Sequence, residues 1–250
     1  MEKIEGKQYK FGLVGRNISY SFSRGYFAKK FEKLGLKGYS YENFDLSKIE
    51  EFKDVITKVD DLKGLNVTIP YKQDVIPYLD KLSDAAKKIG AVNTIKISEK
   101  GLIGHNTDAY GFQKSIEPYL KKHHNKALIL GTGGASKAIA YVLDNLNIAY
   151  AFVSRTGKNN GYTYEELSKK VLQDHLVIIN CTPIGTFPDI EAKPNLPYQH
   201  IVENHLLFDL IYNPEKTAFL KKGEEKGATI LNGAKMLELQ AEQAWKIWNT

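Results

Sequence analysis

Short apolar runs alternate with amphipathic segments along the 250-residue chain. Residues 127–130 and 176–179 are entirely apolar, which is typical of strands buried on both faces of a sheet. Residues 11–15, 39–44 and 65–69 are further predicted strands. Between them, apolar residues three or four positions apart predict helices, as with Phe27, Phe31 and Leu34 ahead of Gly35. This alternation predicts an α/β fold with parallel sheets joined by right-handed crossovers.

The pattern changes after a predicted hairpin. Residues 92–97 and 102–104 flank the turn Glu99-Lys100-Gly101, and from Asp108 a helix leads into a second α/β segment. We therefore predict two domains. An N-terminal α/β substrate-binding and catalytic domain comprises residues 1–106 and 232–250, and a Rossmann-type dinucleotide-binding domain comprises residues 107–231. The active site is expected in a cleft between the two.

The turn after the strand 127–130 is rich in glycine. Gly131, Gly133 and Gly134, followed by Ala135 and Ser136, separate this strand from an amphipathic helix. Glycine lets the backbone approach a pyrophosphate, and the N–H groups and dipole at the start of a helix attract it. The match to the dinucleotide-binding pattern Gly-x-Gly-x-x-Gly is imperfect, because Ser136 stands at the third glycine position. A glycine-rich turn by itself also occurs as a simple connection between a strand and a helix.

The next strand, residues 149–153, ends in Ser154, Arg155 and Thr156, with Lys158 close behind. An NAD site usually has an acidic residue here, but no Asp or Glu lies between Asp144 and Glu165. A guanidinium pairs with a 2′-phosphate, whereas a carboxylate would repel it. The sequence therefore predicts NADP(H) rather than NAD(H).

Composition excludes several other classes of function. No apolar run approaches the roughly 18 residues of a membrane span, and the charged start lacks the apolar region of a signal peptide. The single cysteine, Cys181, cannot form a disulfide within the chain, so we expect a cytoplasmic protein.

The net charge is +6, but only three arginines occur, so we expect neither nucleic-acid nor membrane binding. No two of the six histidines lie four residues apart, and we expect no metal.

Small polar residues recur where the strands of the first domain end. Ser21 and Ser23 are two apart in a polar loop, residues 17–23, so in an extended chain their hydroxyls would point the same way and suit a carboxylate. Asn66 and Thr68 share one face of their strand, opposite Val67 and Ile69. For any single residue of this kind a turn or cap role is as good an explanation. Taken together they suit a polyol ligand, and a lysine and an aspartate, Lys72 and Asp108, supply an acid/base pair.

In the last helix, Gln240 shares a face with Met236 and Leu237, shortly after Gly233. A buried amide needs partners, so Gln240 is either a satisfied core residue or a ligand contact, and we favour the contact.

These motifs, in this order, resemble those of the shikimate dehydrogenase family over nearly the whole chain. They are Ser21-Phe22-Ser23, Asn66-Val67-Thr68-Ile69-Pro70-Tyr71-Lys72, Ala91-Val92-Asn93-Thr94, Asn106-Thr107-Asp108, the glycine turn, Ser154-Arg155-Thr156, Asn180-Cys181-Thr182-Pro183-Ile184-Gly185, Asp209-Leu210-Ile211-Tyr212 and residues 233–240. The resemblance implies reversible, NADPH-dependent reduction of 3-dehydroshikimate to shikimate in aromatic amino-acid biosynthesis.

The resemblance also implies roles for particular residues of these motifs. Ser21 and Ser23, with Tyr212 nearby, would hold the substrate carboxylate, and Asn66, Thr68, Asn93, Asp108 and Gln240 would bind the ring hydroxyls. Lys72 would be the acid/base group, oriented and kept charged by Asp108. Gly131, Gly133, Gly134, Ala135 and Ser136 would cradle the pyrophosphate; Ser154, Arg155 and Thr156 would bind the 2′-phosphate; Gly233 and Met236 would lie beside the nicotinamide.

Two positions depart from the family pattern: Arg24 stands where the family usually has proline, and Ser154 replaces an asparagine. The alternatives are a quinate/shikimate dehydrogenase of relaxed cofactor specificity, which Arg155 disfavours, and a tetrahydrofolate-type dehydrogenase, whose substrate suits the Ser21–Ser23 and Asn66–Thr68 groups less well. A non-catalytic NADP or shikimate sensor is disfavoured by the presence of both Lys72 and Asp108. We expect a monomer or a homodimer.

Overall fold

The computed structural model describes residues 8–19, 21–157 and 161–250. Tyr20 of the expected polar loop and Lys158 behind Arg155 lie outside the described residues. The chain forms two compact units, one of residues 1–107 and 241–250 and the other of residues 108–240. The domain ranges given above, which place residues 232–240 with the first domain, stay a prediction.

The first unit contains a six-stranded sheet in the order β2-β1-β3-β5-β6-β4. Its elements are β1 (Tyr9–Gly15), α1 (Phe22–Lys33), β2 (Tyr39–Asp45), α2 (Phe52–Lys58), β3 (Leu62–Val67), β4 (Lys81–Leu82), α3 (Asp84–Ile89), β5 (Thr94–Ser98) and β6 (Gly101–His105). The predicted hairpin is confirmed as β5 and β6. The expectation of parallel sheets throughout is wrong here, because β5 runs antiparallel to both β3 and β6. A two-residue turn can join strands only in the antiparallel sense.

The helix α1 buries a narrower face than its spacing predicted. Phe27 and Phe31 are buried in an aromatic cluster with Phe11 and Trp248. Leu34 is 52% exposed, because α1 ends at Lys33 and Leu34 is only its cap. The indole of Trp248 donates a hydrogen bond to the Ile95 carbonyl at 3.0 Å. The end of the C-terminal helix is thereby built into the core of the first unit.

The predicted strand 65–69 lies earlier in the chain than expected, since β3 ends at Val67. Ile69, expected on the same strand face as Val67, is 74% exposed, whereas Val67 is 2% exposed. The bond from Ile69 to Pro70 is cis, and the chain turns at Thr68–Tyr71. Residues that follow Val67 therefore belong to a turn, where proline is common, rather than to the sheet.

The second unit contains a fully parallel five-stranded sheet in the order β11-β10-β9-β7-β8. Its elements are α4 (Thr107–Ile116, whose first residue belongs to the first unit), β7 (Lys126–Leu130), α5 (Gly134–Asn145), β8 (Ala149–Val153), α6 (Lys169–Asp174), β9 (Val177–Asn180), β10 (Leu206–Asp209), α7 (Ala218–Glu224), β11 (Thr229–Leu231) and the first part of α8 (Ala234–Trp248), which belongs to the first unit from Ala241 on. The apolar spacing of residues 164–172 also predicts a helix, but this helix starts only at Lys169, because Ser168 caps it. The order of strands reverses between β7 and β9, and open α/β sheets bind ligands beyond the carboxyl ends of such strands.

Candidate active site

A hydrogen-bonded group of amides and hydroxyls lies where β3 meets β5 in the first unit. The Asn66 side chain accepts a hydrogen bond from the Tyr41 hydroxyl at 2.8 Å. Its amide nitrogen donates to the Thr94 hydroxyl at 3.1 Å and to the Asn93 carbonyl at 3.3 Å. Asn66 can take this position because β3 and β5 pair in antiparallel register, which places it directly opposite Thr94. The antiparallel pairing thus assembles the group.

Asn93 joins this group to the start of α4. Its side-chain oxygen accepts from the Thr107 N–H at 2.6 Å, and its amide nitrogen donates to the Thr107 hydroxyl at 3.1 Å. Asn93 is 3% exposed and Thr107 is 1% exposed. Asp108 follows in the first turn of α4, where the helix dipole favours a carboxylate, and it is 3% exposed. Asn93 therefore fixes the start of the helix that carries Asp108.

Lys72 comes directly after the turn that ends β3. The Tyr71 N–H donates to the Thr68 carbonyl at 3.0 Å, and the Tyr71 hydroxyl donates to the Leu46 carbonyl at 2.7 Å. The Lys72 carbonyl accepts from the Val92 N–H at 2.7 Å. These hydrogen bonds hold the backbone on both sides of Lys72. The Lys72 residue itself is half-buried and so keeps access to solvent.

The two serines of the first motif do not lie in an extended loop as expected. The helix α1 begins at Phe22, and Ser21 is its N-cap, with its hydroxyl accepting from the Ser23 N–H at 3.2 Å. Ser23 also forms a side-chain hydrogen bond to Tyr41. Burial raises the pKa of Tyr41 above its ordinary value, and the hydrogen bond from Ser23 partly opposes that rise. The expectation that the two hydroxyls point the same way assumed an extended chain. It does not apply here, because serine is a strong N-cap residue and Ser21 starts the helix.

Three predicted substrate residues, Ser23, Asn66 and Asn93, thus belong to one network. It also contains Tyr41, Thr94 and Thr107, three residues without a predicted role in the site. Tyr41 stacks on Phe27 with ring centroids 4.7 Å apart and is 7% exposed. A tyrosine at an inward-facing strand position needs a partner for its hydroxyl, and that signal could have identified it. Thr68 is half-buried, and its N–H donates to the Val14 carbonyl at 2.9 Å.

In the second unit, the glycine turn lies at the point where the strand order reverses. Gly131 has φ +98, and a Cβ added there would be 3.0 Å from the Thr182 methyl. The Gly131 N–H donates to the Val153 carbonyl at 2.8 Å, and the Cys181 N–H donates to the Leu130 carbonyl at 2.9 Å. Backbone conformation and the neighbouring loop therefore both require glycine at this position.

Gly133 differs from Gly131, since no neighbour in the described part of the chain requires a glycine there. Its φ is −78, and a Cβ added there would meet no described heavy atom within 4 Å. Gly133 is the N-cap of α5, which begins at Gly134 with no side-chain cap. A glycine beside open space and uncapped N–H groups fits a pyrophosphate that approaches the backbone. The buried Ser136 hydroxyl donates to the Gly133 carbonyl at 2.6 Å. Ser136 would therefore contact a ligand through its backbone N–H and not through its hydroxyl.

The tip of β8 carries the predicted 2′-phosphate residues. The Ser154 N–H donates to the Tyr162 carbonyl at 3.0 Å, while its buried hydroxyl has no partner within the described residues. Arg155 and Thr156 are exposed. Burial raises the pKa of Tyr164, and the positive charge of Arg155 counteracts that rise. An exposed guanidinium and, on the preceding residue, a hydroxyl without a partner among the described residues fit a phosphate group.

The remaining predicted residues of this unit lie near the start of α8. The Gly233 N–H donates to the Ile211 carbonyl at 3.0 Å, and a Cβ on Gly233 would collide with the Leu210 carbonyl. Gly233 thus lets the chain pass close to the loop that carries Tyr212. Met236 is 6% exposed. Gly111 of α4 lets that helix approach the backbone of α8 at Met236 and Gln240, where an added Cβ would come within 2.6 and 3.2 Å.

Within the described residues, no helix combines the length and apolarity that a bilayer crossing requires. Nor do three His, Cys, Asp or Glu side chains of these residues lie together in a way that could hold a metal ion.

Comparison with known proteins gives a consistent result. Residues 13–95 match the family model of the shikimate dehydrogenase substrate binding domain. The chain is 37% identical to shikimate dehydrogenase (NADP(+)) of Methanosphaera stadtmanae over 98% of its own length and 93% of that protein.

Solved structures show the same similarity. Shikimate dehydrogenase from Aquifex aeolicus superposes with a TM-score of 0.87 at 33% identity, covering 98% of this chain and 94% of that one. Shikimate 5-dehydrogenase from Thermus thermophilus, in complex with NADP(H) and shikimate, superposes with a TM-score of 0.85 at 30% identity, covering 96% and 93%.

Proposed function

The chain belongs to the shikimate dehydrogenase family, and from that premise we propose its reaction and the role of each site residue. It is an NADP-dependent oxidoreductase that acts on a CH–OH group, and it catalyses the reversible reduction of 3-dehydroshikimate to shikimate, a step of aromatic amino-acid biosynthesis. The observation that carries the proposal is the network of amides and hydroxyls formed by Tyr41, Asn66, Thr94, Asn93 and Thr107. Such groups suit a small polyol acid.

The substrate is bound by its carboxylate and its hydroxyls. Ser21 and Ser23, at the start of α1, bind the carboxylate together with Tyr212. An N-cap hydroxyl and the first N–H groups of a helix favour an anion. The ring hydroxyls are bound by the side chains of Asn66, Thr68, Asn93, Asp108 and Gln240.

Lys72 moves the proton. As the carbonyl carbon of 3-dehydroshikimate accepts hydride, negative charge develops on its oxygen, and the Lys72 ammonium stabilises this charge and donates the proton. In the reverse direction the neutral amine accepts the proton from the hydroxyl. The carboxylate of Asp108 orients Lys72 and favours its charged form.

NADP(H), when bound, supplies or accepts the hydride. The backbone at Gly131, Gly133, Gly134, Ala135 and Ser136 holds its pyrophosphate. Ser154, Arg155 and Thr156 hold the 2′-phosphate, and Gly233 and Met236 contact the nicotinamide. The open space at Gly133 and the unpaired Ser154 hydroxyl support this assignment.

The deciding experiment measures steady-state oxidation of shikimate and quinate, each with NADP⁺ and with NAD⁺, by nicotinamide absorbance. We expect the highest kcat/KM for shikimate with NADP⁺. Equal efficiency for quinate, or a preference for NAD⁺, would favour a quinate/shikimate dehydrogenase. Tight binding of both ligands without turnover would favour the non-catalytic sensor.

The small-molecule substrate and the cofactor are the binding partners that this function requires. A monomeric or homodimeric state, a cytoplasmic location and the absence of nucleic-acid or membrane binding belong to the same proposal, and size-exclusion chromatography with light scattering tests the first of these.

A further inference from the structure

Asp209 is a buried carboxylate to which the reaction above gives no role. It is the last residue of β10 and is fully buried. Its Oδ1 accepts from the Ile211 N–H at 3.0 Å and from the Asn180 amide at 3.1 Å, and its Oδ2 accepts from the Thr217 hydroxyl at 2.6 Å. The carboxyl end of β9 and two positions of the connection between β10 and α7 thus converge on one side chain.

One of these hydrogen bonds leads to the glycine turn. Asp209 accepts from the nitrogen of the Asn180 amide, so the amide oxygen faces the other way, toward Thr182. That oxygen accepts from the Thr182 N–H at 3.0 Å and from its hydroxyl at 2.6 Å. The methyl of Thr182 is the atom that a Cβ on Gly131 would approach to 3.0 Å. The carboxylate therefore sets the loop against which the glycine turn packs.

A second hydrogen bond leads to the start of α8. Asp209 holds the Ile211 N–H, and the Ile211 carbonyl accepts from the Gly233 N–H at 3.0 Å. Tyr212 is the next residue in the chain. The same carboxylate thus supports the loop of Tyr212 and the turn of Gly233, to which the proposed function assigns ligand contacts.

The charge of Asp209 has no cationic partner among the described residues. Burial raises the pKa of Asp209 to about 6, and the hydrogen bonds from Thr217, Ile211 and Asn180 oppose this rise. The titratable groups facing it are Cys181 and Tyr198, whose pKa values are raised by burial and further by the Asp209 charge. Both groups are therefore neutral near neutral pH. Burying a carboxylate without a cationic partner costs free energy, so stability alone is a poor reason for this residue to hold the loops.

We propose that Asp209 is a positioning residue that orients the glycine turn, through Asn180 and Thr182, and the Gly233 turn, through Ile211, for binding of the nicotinamide dinucleotide. The inference rests on the proposed function for the identity of the cofactor. Of the residues that Asp209 supports, only Tyr212 is assigned to shikimate, and it shares the carboxylate with Ser21 and Ser23. The effect of Asp209 should therefore fall mainly on the cofactor and far less on shikimate.

The test is Asp209→Asn, which keeps the shape of the side chain and replaces one acceptor with a donor. We expect the Kd for NADPH, measured by fluorescence, to rise about tenfold or more, while the KM for shikimate changes less than about twofold. In the wild type, affinity for NADPH should also weaken as the pH falls through 6, because a protonated carboxyl loses an acceptor. This additional weakening should be absent in Asp209→Asn, and titration of the 2′-phosphate itself affects both proteins equally.

Ser168→Ala is the matched control, because Ser168 only caps α6, with its hydroxyl accepting from the Val171 N–H. It should lower the melting temperature and leave the Kd for NADPH unchanged. Equal losses of melting temperature in the two variants, with both Kd values unchanged, would show that Asp209 is merely structural.

A second variant keeps the test decisive if Asp209→Asn does not fold. Thr182→Val removes one hydroxyl from the middle of the route to Gly131 and should weaken NADPH binding about threefold or more. An unchanged Kd in Thr182→Val would overturn the proposal. A wild-type protein that binds NADPH but does not oxidise shikimate would contradict the proposed function alone, and the Kd comparison would still decide the role of Asp209.

Discussion

Lys72 carries the proton in the proposed reaction, so loss of its amine should slow the chemical step and leave binding nearly intact. We expect Lys72→Met to lower kcat by a factor of about 10² to 10⁴, the usual contribution of general acid–base catalysis. The KM for shikimate should change less than about threefold. Steady-state kinetics with NADP⁺ measures both constants.

Lys87→Met is the control for Lys72, because Lys87 is an exposed lysine of α3. It removes the same charge from the same unit and should leave kcat unchanged. An unchanged kcat in Lys72→Met would exclude the amine from the chemistry.

Arg155 determines the cofactor in the proposed function. Arg155→Asp should raise the KM for NADP⁺ about tenfold or more, because a carboxylate repels the 2′-phosphate that a guanidinium would pair with. The KM for NAD⁺ should change much less, since NAD⁺ has only a hydroxyl there. Lys170→Asp, at an exposed position of α6, makes the same change of charge and should affect neither KM. Equal effects of Arg155→Asp on both cofactors would refute the 2′-phosphate role.

At the scale of elements, the start of α1 has a structural role and, in the proposed function, also binds the substrate carboxylate. Ser21→Ala removes its N-cap and should lower the free energy of unfolding by about 1 kcal/mol. Ser83→Ala removes the same kind of cap from α3, where the hydroxyl accepts from the Ala86 N–H, and should cost a similar amount. Only Ser21→Ala should also raise the KM for shikimate, with a smaller effect on an analogue that lacks the carboxylate. If the two variants raise this KM equally, the carboxylate assignment is wrong.

The glycine turn contains two glycines that should respond differently to alanine. Gly131→Ala should destabilise the protein by about 1–3 kcal/mol, because φ is +98 and the added methyl meets Thr182. Gly133→Ala should change stability by less than about 1 kcal/mol, because its φ suits any residue and its surroundings are open. Gly133→Ala should nevertheless weaken NADPH binding, since its methyl occupies the space proposed for the pyrophosphate. Thermal unfolding measures stability, and NADPH fluorescence measures binding. Unchanged NADPH binding in Gly133→Ala would contradict the proposed contact between the glycine turn and the pyrophosphate.

At the scale of the whole molecule, buried titratable groups predict how stability depends on pH. Burial lowers the pKa values of His105, His124 and His205 below the ordinary 6.5, so the unfolded chain binds protons that the folded protein does not. Their contribution to stability is complete above pH 6.5 and is lost as the pH falls below it. The contribution of Asp209 to stability changes with pH in the opposite direction, because its pKa of about 6 in the folded protein lies above its ordinary value of 3.8. Its protonation favours the folded state as the pH falls from 6 to 4.

The melting temperature should therefore be nearly constant between pH 7 and 8 and decline below pH 6.5. Asp209→Asn removes the opposing contribution, so its melting temperature should decline more steeply than that of the wild type between pH 6 and 4. A parallel decline in the two proteins would show that Asp209 does not titrate in this range. Scanning calorimetry across pH 4–8 makes the comparison.

Much of the secondary structure was predictable because it depends on neighbouring residues. The apolar run before Gly131 and the amphipathic segment after it indicate β7 and α5, and the turn at Glu99-Lys100-Gly101 indicates the hairpin. Errors fell where local chemistry competes with periodicity. Ser21 caps a helix in a segment expected to be extended, and residues 68 and 69 belong to a turn where the end of a strand was expected.

The sequence by itself thus determined the α/β class, the glycine turn, the absence of an acid beside Arg155 and the family, because each depends on residue types and short spacings along the chain. Only the tertiary structure decided that β5 runs antiparallel to β3, that Tyr41 bonds Asn66 across 25 positions of sequence, and that Asp209 gathers Asn180, Ile211 and Thr217. These contacts join residues from separate strands and loops. Their formation depends on strand order and packing, which no short stretch of the chain encodes.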